Sequence, residues 1–409
     1  MDNFNYIIAG GRVLDPASGL DAVMDIGICG DTVACMADSI DREDVRIDAS
    51  TKIIDASGAL VTPGLVDLHC HFFPDEYYGL PPEDTGVLSG CTTMVDGGSA
   101  GMLTYEYFSS QYMEKSPSKS YAFILHHPIG QFFQEENWKN VSVNADATAD
   151  FIRRHPRIVG LKDKLTSDFA WYQGVEGVRR AVDIAHKSGK PYAVHLGTST
   201  RLVAPDEKAS ESDVADAVRA CTLELLATLR KGDIIFHAFT GKLGAIFTAD
   251  GSYDEAVRAA LKRGVLLDAS VGRANFDIES YRLARQKGIL PDLISSDLVQ
   301  FGLTDVVFNL GTALSKFIDN GLTLSEVIHR ATFMPAQAIS LDDGTGRLRE
   351  NGPADITISH LETGEFIFQD KMNGHTFSGP CLLRPKMCFV DGKPYETKHH
   401  GMSAPAAPR

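Results

Sequence analysis

Short apolar runs alternate with longer amphipathic segments from residue 62 to residue 352. Eight runs have the length of a strand: GLVDLHCH, CTTMVDGG, YAFILHH, IVGLKDKL, YAVHLGT, DIIFHAFTG, VLLDAS and LISSDL. The segments between them have helical periodicity; from Val214 to Leu229, for example, apolar residues recur at spacings of three and four. Strands that are apolar throughout are buried on both faces, so the pattern predicts an α/β chain whose 62–352 region is a (β/α)8 TIM barrel. An open doubly wound sheet stays an alternative, although no Gly-x-Gly-x-x-Gly motif or P-loop follows a strand.

The two ends of the chain have a different pattern, in which apolar and polar residues alternate in short strands between turn signals. Residues 1–61 have this pattern, and residues 353–397 resume it after the long helical region. Because a few short strands with open edges are unstable alone, we expect the two ends to combine in a small β-sandwich module beside the barrel. Residues 398–409 are rich in proline and alanine, which predicts a disordered tail.

Charge and cysteine content narrow the class of protein. The formal net charge of −15 disfavours nucleic acids and anionic membranes as partners, because both would repel the chain. The sequence has no signal-peptide pattern and no apolar stretch long enough to cross a bilayer. The seven cysteines are scattered and show no Cys-x-x-Cys spacing, as is typical of a reducing compartment. We therefore expect a cytoplasmic protein that acts on a small-molecule substrate.

Histidine, lysine and aspartate side chains end several of the predicted barrel strands. His69 and His71 are two residues apart in the first strand, so both project from one face and can reach one cation. Taken singly, each histidine is as well explained by a hydrogen-bonded core position. Barrel active sites lie at the carboxyl ends of the strands, so the residues that end them should converge. Those residues are His69, His71, Lys162, Lys164, His195, His237 and Asp297.

With these motifs the chain resembles the amidohydrolase superfamily over nearly its whole length, including the split β module. VDLHCH, GLKDKL, VHLGTS, FHAFTGKLG and SSDL are most similar to the dihydroorotase-like amidohydrolase/deacetylase branch. The resemblance implies two divalent metal ions, with zinc expected, and a lysine that carbon dioxide converts to a bridging carbamate. It assigns His69, His71 and Asp297 to the first metal, His195 and His237 to the second, and the Lys162 carbamate to both.

The chemistry of lysine agrees with this modification. A free ammonium group would repel two cations, whereas a carbamate is an anionic oxygen ligand. Lys162 and Lys164 project from the same face of the fourth strand, so the residues alone leave both as candidates. The family's GLK motif ends on Lys162, which favours Lys162 and leaves Lys164 as a salt-bridge or surface residue.

The expected reaction is hydrolysis of an amide or ester bond in a small acylated substrate, as in a deacetylase. Two metal ions would hold a bridging hydroxide for attack on the carbonyl, with Asp297 as the general base. A cyclic-amide hydrolase of the dihydroorotase or hydantoinase type shares every ligand and stays an alternative. A catalytically silent barrel that serves as a binding subunit is a further alternative, but such relatives lose metal ligands and none is missing here. The resemblance alone suggests a homo-oligomer.

Substrate contacts are expected from the loops that follow the strands. In dihydroorotase the first motif continues as His-x-His-x-Arg and the arginine binds a carboxylate, but this chain has Phe73 at that position. Tyr78, in the loop FFPDEYYGLPPED, is a candidate for an aromatic pocket wall, although such residues also pack on neighbouring loops. Arg273 is a candidate for a substrate carboxylate, with a structural salt bridge as an equal alternative. His126 and Thr198 are the remaining candidates for substrate contact.

Overall fold

A computed structural model describes residues 3–41, 43–132, 138–198, 210–318, 320–370, 374–398 and 401–402. These residues form a mixed α/β structure with two sheets. The strands near the start of the chain are β1 (Tyr6–Asp15), β2 (Leu20–Cys29), β3 (Thr32–Ala37), β4 (Lys52–Asp55) and β5 (Leu60–Pro63). Those of the central region are β6 (Leu65–Cys70), β7 (Cys91–Gly101), β8 (Lys119–Leu125), β9 (Ile158–Lys164), β10 (Tyr192–His195), β11 (Ile234–Phe236) and β12 (Leu266–Leu267). The last are β13 (Ile356–Asp370), β14 (His375–Val390) and β15 (Lys393–Glu396).

The helices follow the central strands. They are α1 (Pro82–Thr85), α2 (Tyr105–Phe108), α3 (Ala145–Arg154), α4 (Ser167–Tyr172), α5 (Gly174–Ser188), α6 (Glu211–Thr228), α7 (Asp254–Lys262), α8 (Ile278–Gln286), α9 (Leu310–Ser315), α10 (Leu324–His329) and α11 (Phe333–Ala338). A 3₁₀ turn at Val87–Ser89 and a π-helical turn at Ser109–Met113 complete the set. The predicted helix at 214–229 is α6, which begins at residue 211 because Ser210 and Asp213 form a capping box at its N-terminus.

The central sheet is a parallel barrel, as predicted. Strands β6 to β12 pair in chain order, and each neighbouring pair is parallel. Residues 293–298, where the eighth strand was predicted, close the barrel through two isolated parallel bridges, Asp268 to Leu293 and Cys70 to Leu298, and do not form a continuous strand. The Ala269 amide donates to the Leu293 carbonyl (3.0 Å), and the Asp297 amide donates to the His69 carbonyl (2.6 Å). This closure brings the last predicted site residue beside the first.

The barrel strands are buried on both faces, which explains their continuous apolar sequences. Every residue of β6 and β7 is buried. Phe236, at the end of β11, is fully buried inside the barrel, with its ring 4.3 Å from the His69 ring and 4.1 Å from Lys162 Nζ. Phe236 therefore forms the apolar floor of the space in which the predicted metal ligands lie.

The two chain ends share one eight-stranded sheet, in the order β15-β14-β13-β5-β1-β2-β3 with β4 beside β1. The link is β5, which is parallel to β1 and antiparallel to β13. Strand β13 runs without interruption from Ile356 to Asp370, because a register shift between Thr363 and Phe366 accommodates the polar residues in its middle. The two-layer sandwich and the domain boundaries at 61/62 and 352/353 stay predictions.

The hairpin of β13 and β14 extends beyond the small sheet onto the barrel. Phe366, Phe368 and Phe377 belong to the same apolar cluster as the barrel helices. The Ile278 amide at the start of α8 donates to the Asp370 carboxylate at 2.8 Å. The terminal strands thus stabilise the barrel directly. Most of the predicted tail at 398–409 lies outside the described residues.

The cysteines and helices agree with the compositional analysis. All seven cysteines are free thiols, and five of them are buried. Among the described residues, no helix has both the length and the apolar character that crossing a bilayer requires.

Candidate active site

A cavity of about 530 Å³ opens at the carboxyl ends of the barrel strands. Barrels place their chemistry there because the loops that follow the strands surround this end. Nine of the residues singled out from the sequence line the cavity: His69, His71, Tyr78, Lys162, Lys164, His195, Thr198, Arg273 and Asp297. His237 lies against the same group, with Nε2 3.8 Å from Asp297 Oδ2.

The two histidines of β6 and the loop after it point the same ring nitrogen at Asp297. Nε2 of His69 and Nε2 of His71 each lie 3.5 Å from Asp297 Oδ1. Their other ring nitrogens contact hydroxyl groups, with His69 Nδ1 3.2 Å from Ser270 Oγ and His71 Nδ1 2.8 Å from Ser99 Oγ. A hydroxyl bonded to Nδ1 fixes the ring and leaves Nε2 for another partner.

Three residues at this end of the barrel have a left-handed backbone conformation: one follows β11, one follows β12, and one lies in the closing segment 293–298. The φ angles are +55° at His237, +36° at Ser270 and +48° at Asp297. Such conformations are unfavourable for residues other than glycine and persist where the surrounding structure enforces them. His237 Nδ1 lies 2.7 Å from the Ser270 carbonyl, and its buried Nε2 has no hydrogen-bond partner among the described residues. The His195 ring lies 4.2 Å from the His237 ring.

Lys162 lies at the centre of this group, whereas Lys164 lies nearer the rim. Lys162 is 1% exposed, and its Nζ is 3.2 Å from His69 Nε2. Lys164 Nζ is 5.9 Å from the centre of the Tyr78 ring. Burial lowers the pKa of Lys162 to about 7, so its neutral amine is populated near neutral pH. Of the two lysines, Lys162 is the one placed among the histidines.

Two glycines in the sequence VDGGS make room for these side chains. A Cβ on Gly97 would lie 2.0 Å from His69 Cδ2, and a Cβ on Gly98 would lie 2.7 Å from Lys162 Cγ. Gly98 also has a φ of +100°. Any larger residue at either position would displace a predicted metal ligand.

The electrostatics of the group suit a cation. Burial lowers the pKa of His69 and His195 well below the usual range, and that of His237 to about 3, so these rings are neutral. Burial also opposes charge on His71, but the hydrogen bond to Asp297 and nearby carboxylates raise its pKa. For Asp297, burial opposes ionisation, yet His237 and His71 hold its pKa below the usual range. The three neutral imidazoles of His69, His195 and His237 beside an ionised carboxylate are protonation states that suit a divalent cation, whereas His71 must lose the proton that its raised pKa favours before it can bind one.

The donor set therefore fits a divalent transition metal ion. Ligand atoms of His69, His71 and Asp297 all lie within 4.8 Å of one another. The unpartnered Nε2 of His237 is directed toward the other oxygen of Asp297. Buried polar atoms are normally hydrogen-bonded, so a buried nitrogen that is not hydrogen-bonded to any described residue is a fitting ligand for a metal ion at this place.

Comparison with known proteins agrees with this geometry. The model of the amidohydrolase family matches residues 60–394, which is most of the chain. The chain belongs to the amidohydrolase family. A deacetylase from Agrobacterium fabrum is 28% identical over 352 residues, which cover 85% of this chain and 81% of that protein. The prediction of a metal-dependent amidohydrolase is confirmed at the level of the family.

Solved structures give the same fold. A dihydroorotase structure has a TM-score of 0.80 and 25% identity and covers 96% of this chain and 98% of its own. An adenine deaminase structure has a TM-score of 0.82 and 23% identity over 97% of this chain and 100% of its own, a likeness that shows the fold alone.

The remaining residues singled out in this amidohydrolase differ in burial and in their contacts. Thr198 is 1% exposed, and its Oγ1 has no hydrogen-bond partner within the part of the chain that the structure describes. Arg273 lies at the rim with Nε 3.2 Å from Asp305 Oδ2, which matches the structural salt bridge offered as its alternative role. Tyr78 lines the cavity, whereas Phe73 is fully buried and stacks on Phe108 at 4.7 Å.

The prediction of a substrate contact for His126 disagrees with its placement. His126 is not among the described residues that line the cavity, and its Nδ1 is 2.9 Å from Asp163 Oδ2. Asp163 alternates with Lys162 along β9 and so faces the helices rather than the barrel interior. The His126 ring packs between Trp138 and Phe169, at 5.3 and 6.3 Å. The position of His126 at a strand end did not reveal which way its side chain turns.

Four residues that the sequence did not single out support the predicted ligands, three by direct contact and Lys242 through Asn275. Ser99 and Ser270 contact the histidines, Asn275 Nδ2 donates to Asp297 Oδ2 at 2.9 Å, and Lys242 Nζ donates to Asn275 Oδ1 at 2.5 Å. Glycines stand beside these residues in GGS, TGK and VGRAN, and glycine indicates, though weakly, that two segments pack closely. Serine and asparagine are too common in loops for that signal to identify them.

Proposed function

We propose that this amidohydrolase removes the acyl group from a small N- or O-acylated substrate by hydrolysis. The observation that carries the proposal is the convergence of the His69, His71 and His237 Nε2 atoms on the Asp297 carboxylate, beside the buried Lys162. The relatives named deacetylases support the choice of an acyl substrate.

We infer that two divalent ions bind here, with zinc as the expected metal. His69, His71 and Asp297 would hold one ion, His195 and His237 the other, and Lys162 both after carboxylation. In that modification the neutral Nζ attacks carbon dioxide, an N–C bond forms, one N–H proton passes to water, and an anionic carbamate results. Bound divalent cations lower the pKa of water and polarise a carbonyl group.

We assign proton transfer to Asp297. Its Oδ1 faces His69 and His71, and the oxygen that we propose to move protons is Oδ2, which also accepts a hydrogen bond from Asn275. Ionised Asp297 would accept a proton from the attacking water at Oδ2 and then deliver it to the leaving nitrogen or oxygen. Thr198 Oγ1 and the Tyr78 ring lie on the wall where the rest of the substrate would rest. Their roles in binding are proposals, as is that of Arg273.

A cyclic-amide hydrolase is the second candidate, because the dihydroorotase structure is similar over nearly the whole chain. Phe73 argues against it. At the position where dihydroorotase has a carboxylate-binding arginine, this chain has a fully buried aromatic ring. A silent binding barrel is a weaker candidate, because all six predicted ligands are present around one cavity. We also propose a cytoplasmic location, a small-molecule substrate, no nucleic-acid or membrane partner, and a homo-oligomer.

The test is a side-by-side assay of zinc-loaded protein. Acetylated amino acids, acetylated hydroxy acids, dihydroorotate and hydantoins are each incubated with the protein, and acetate or ring-opened product is measured. We expect turnover of acetylated substrates, abolished by a chelator and restored by zinc. Turnover of cyclic amides alone would favour the second candidate, and no turnover of any substrate at full metal content would favour the silent barrel.

A further inference from the structure

A chain of two hydrogen bonds runs from Lys242 through Asn275 to the proposed general base. Lys242 Nζ donates to Asn275 Oδ1 at 2.5 Å, and Asn275 Nδ2 donates to Asp297 Oδ2 at 2.9 Å. Lys242 lies in the loop after β11 and Asn275 in the loop after β12, so two separate segments meet at this carboxylate. Both residues line the cavity.

The chemistry of the three groups permits one orientation of the central amide. A lysine ammonium has only donors, and an ionised carboxylate has only acceptors. The amide must therefore turn Oδ1 to Lys242 and Nδ2 to Asp297. In the flipped amide, the Nδ2 donor would face the Lys242 donor and the Oδ1 acceptor would face the Asp297 acceptor. Without Lys242, one of the two constraints on the amide is lost.

Glycines on both sides leave space for this arrangement. A Cβ on Gly272 would lie 2.3 Å from Asp297 Oδ2 and 3.0 Å from Asn275 Nδ2. A Cβ on Gly197 would lie 3.0 Å from Lys242 Cβ. Both glycines have positive φ angles, +57° and +96°, so a side chain would also strain the backbone there. The backbone on either side is thus shaped to let the three side chains approach.

We propose that Lys242 and Asn275 are a positioning pair that holds the Asp297 carboxylate in its working orientation. The proposal rests on the proposed hydrolytic function for its kinetic consequences, but not for its effect on metal binding. Asp297 can rotate about its side-chain bonds, and the Asn275 donor keeps Oδ2 toward the cavity while Oδ1 faces the two histidines. Lys242 acts only through Asn275.

A direct role for Lys242 in binding an anionic substrate is the competing explanation, because this cation lines the cavity. The two roles predict different kinetics. A positioning residue changes kcat and metal affinity and leaves KM unchanged, whereas a substrate-binding cation raises KM for anionic substrates only. They also differ in coupling, since residues that act in series do not have additive effects.

The experiment compares Lys242→Met, Asn275→Leu and the double variant with wild-type protein. Zinc affinity is measured by competition with a chromophoric chelator, which needs no turnover. Lys287→Met is the matched control, because Lys287 is also half-buried and also donates to one oxygen at 2.5 Å, on Asp254 away from the cavity. Lys242→Arg keeps a charged donor and serves as the conservative variant. Urea unfolding checks that each variant folds, and Asn275→Ser replaces the leucine variant if the latter does not.

We expect each single variant to bind zinc about 10-fold more weakly and to lose ~10–100-fold in kcat, the usual effect of removing a partner of a metal ligand. The double variant should match Asn275→Leu, Lys242→Arg should recover most of both losses, and Lys287→Met should match wild type. Wild-type zinc affinity in Lys242→Met would overturn the proposal, and so would fully additive losses or a KM increase confined to anionic substrates. If no substrate is turned over but zinc affinity falls as expected, the hydrolytic function fails and the positioning pair stands.

Discussion

The two sides of the metal-binding group are built differently. On one side, His69 and Lys162 project from strands β6 and β9 at positions that ordinary strand alternation sends into the barrel. On the other side, His237, Ser270 and Asp297 follow the last strands in left-handed conformations, with φ between +36° and +55°. A left-handed conformation costs a non-glycine residue roughly 1–2 kcal/mol.

The two sides therefore differ in backbone strain. We call the side of His69 and Lys162 the regular side and that of His237, Ser270 and Asp297 the strained side. The side chains of the regular side need only space, which Gly97 and Gly98 leave. The strained side needs support from its neighbours: the Ser270 carbonyl contacts His237, the Ser270 hydroxyl contacts His69, and Asn275 contacts Asp297. Substitutions on the regular side should therefore change metal binding by removing a ligand or filling its space. Substitutions on the strained side should change metal binding and proton transfer by altering the orientation of a ligand.

The largest effect is expected on the regular side, at Lys162. Lys162→Ala removes the proposed bridge, so activity should fall below detection and zinc content from about two ions per chain to about one or fewer. Elemental analysis of zinc-loaded protein measures this. Lys164→Ala is the control, and we expect it to keep both ions. A carbamate mass on Lys164, or loss of zinc only in Lys164→Ala, would reverse the assignment of the two lysines.

On the strained side, Asp297→Asn separates metal binding from proton transfer. An amide oxygen can still coordinate a metal but cannot take a proton from water. We expect most of the zinc to remain and kcat to fall by ~10²–10⁴-fold. Zinc content and kcat are measured on the same preparation. A zinc-replete variant with near wild-type kcat would mean that another group is the base.

Clearance on the regular side is tested by Gly97→Ala. The new methyl group would lie 2.0 Å from His69 Cδ2, so the ring must move and zinc affinity should fall by about 10–100-fold. Gly302→Ala is the matched control, since the nearest atom to its Cβ is 3.4 Å away. Chelator competition measures both. Equal zinc affinity in the two variants would show that His69 tolerates displacement.

The smallest and most direct comparison replaces one serine on each side with glycine. Ser99 and Ser270 each contact Nδ1 of a histidine, so both variants should bind zinc about 10-fold more weakly. At either site glycine lowers the free energy of unfolding by about 0.4–1 kcal/mol, because it makes the unfolded chain more flexible. At position 270 it also removes roughly 1–2 kcal/mol of strain from the left-handed backbone of the folded state. In urea unfolding, Ser99→Gly should therefore lose stability while Ser270→Gly changes little. Equal losses would show that φ at Ser270 carries no strain.

Strand alternation explains how much of the site the sequence could predict. A period of two predicted that His69 and His71 share a face, but it left Lys162 and Lys164 as alternatives that only the family's GLK motif separated. The rule did not extend to His126: His71 and His126 both follow the last residue of a strand, yet His71 points to Asp297 and His126 to Asp163. In the loop after β6, Phe72 and Phe73 pack on Phe108, whereas Tyr78 lines the cavity.

The sequence by itself determined the alternation of strands and helices and the ligand types at the strand ends, because hydrophobic periodicity and residue chemistry are local properties. Only the tertiary structure decided that β13 is one strand reaching the barrel, and that Asp297 lies beside His69 through barrel closure. It alone brought Lys242 and Asn275 from separate loops to one carboxylate. Loop conformations and left-handed residues depend on contacts between segments distant in the chain, and no local pattern of residues encodes those contacts.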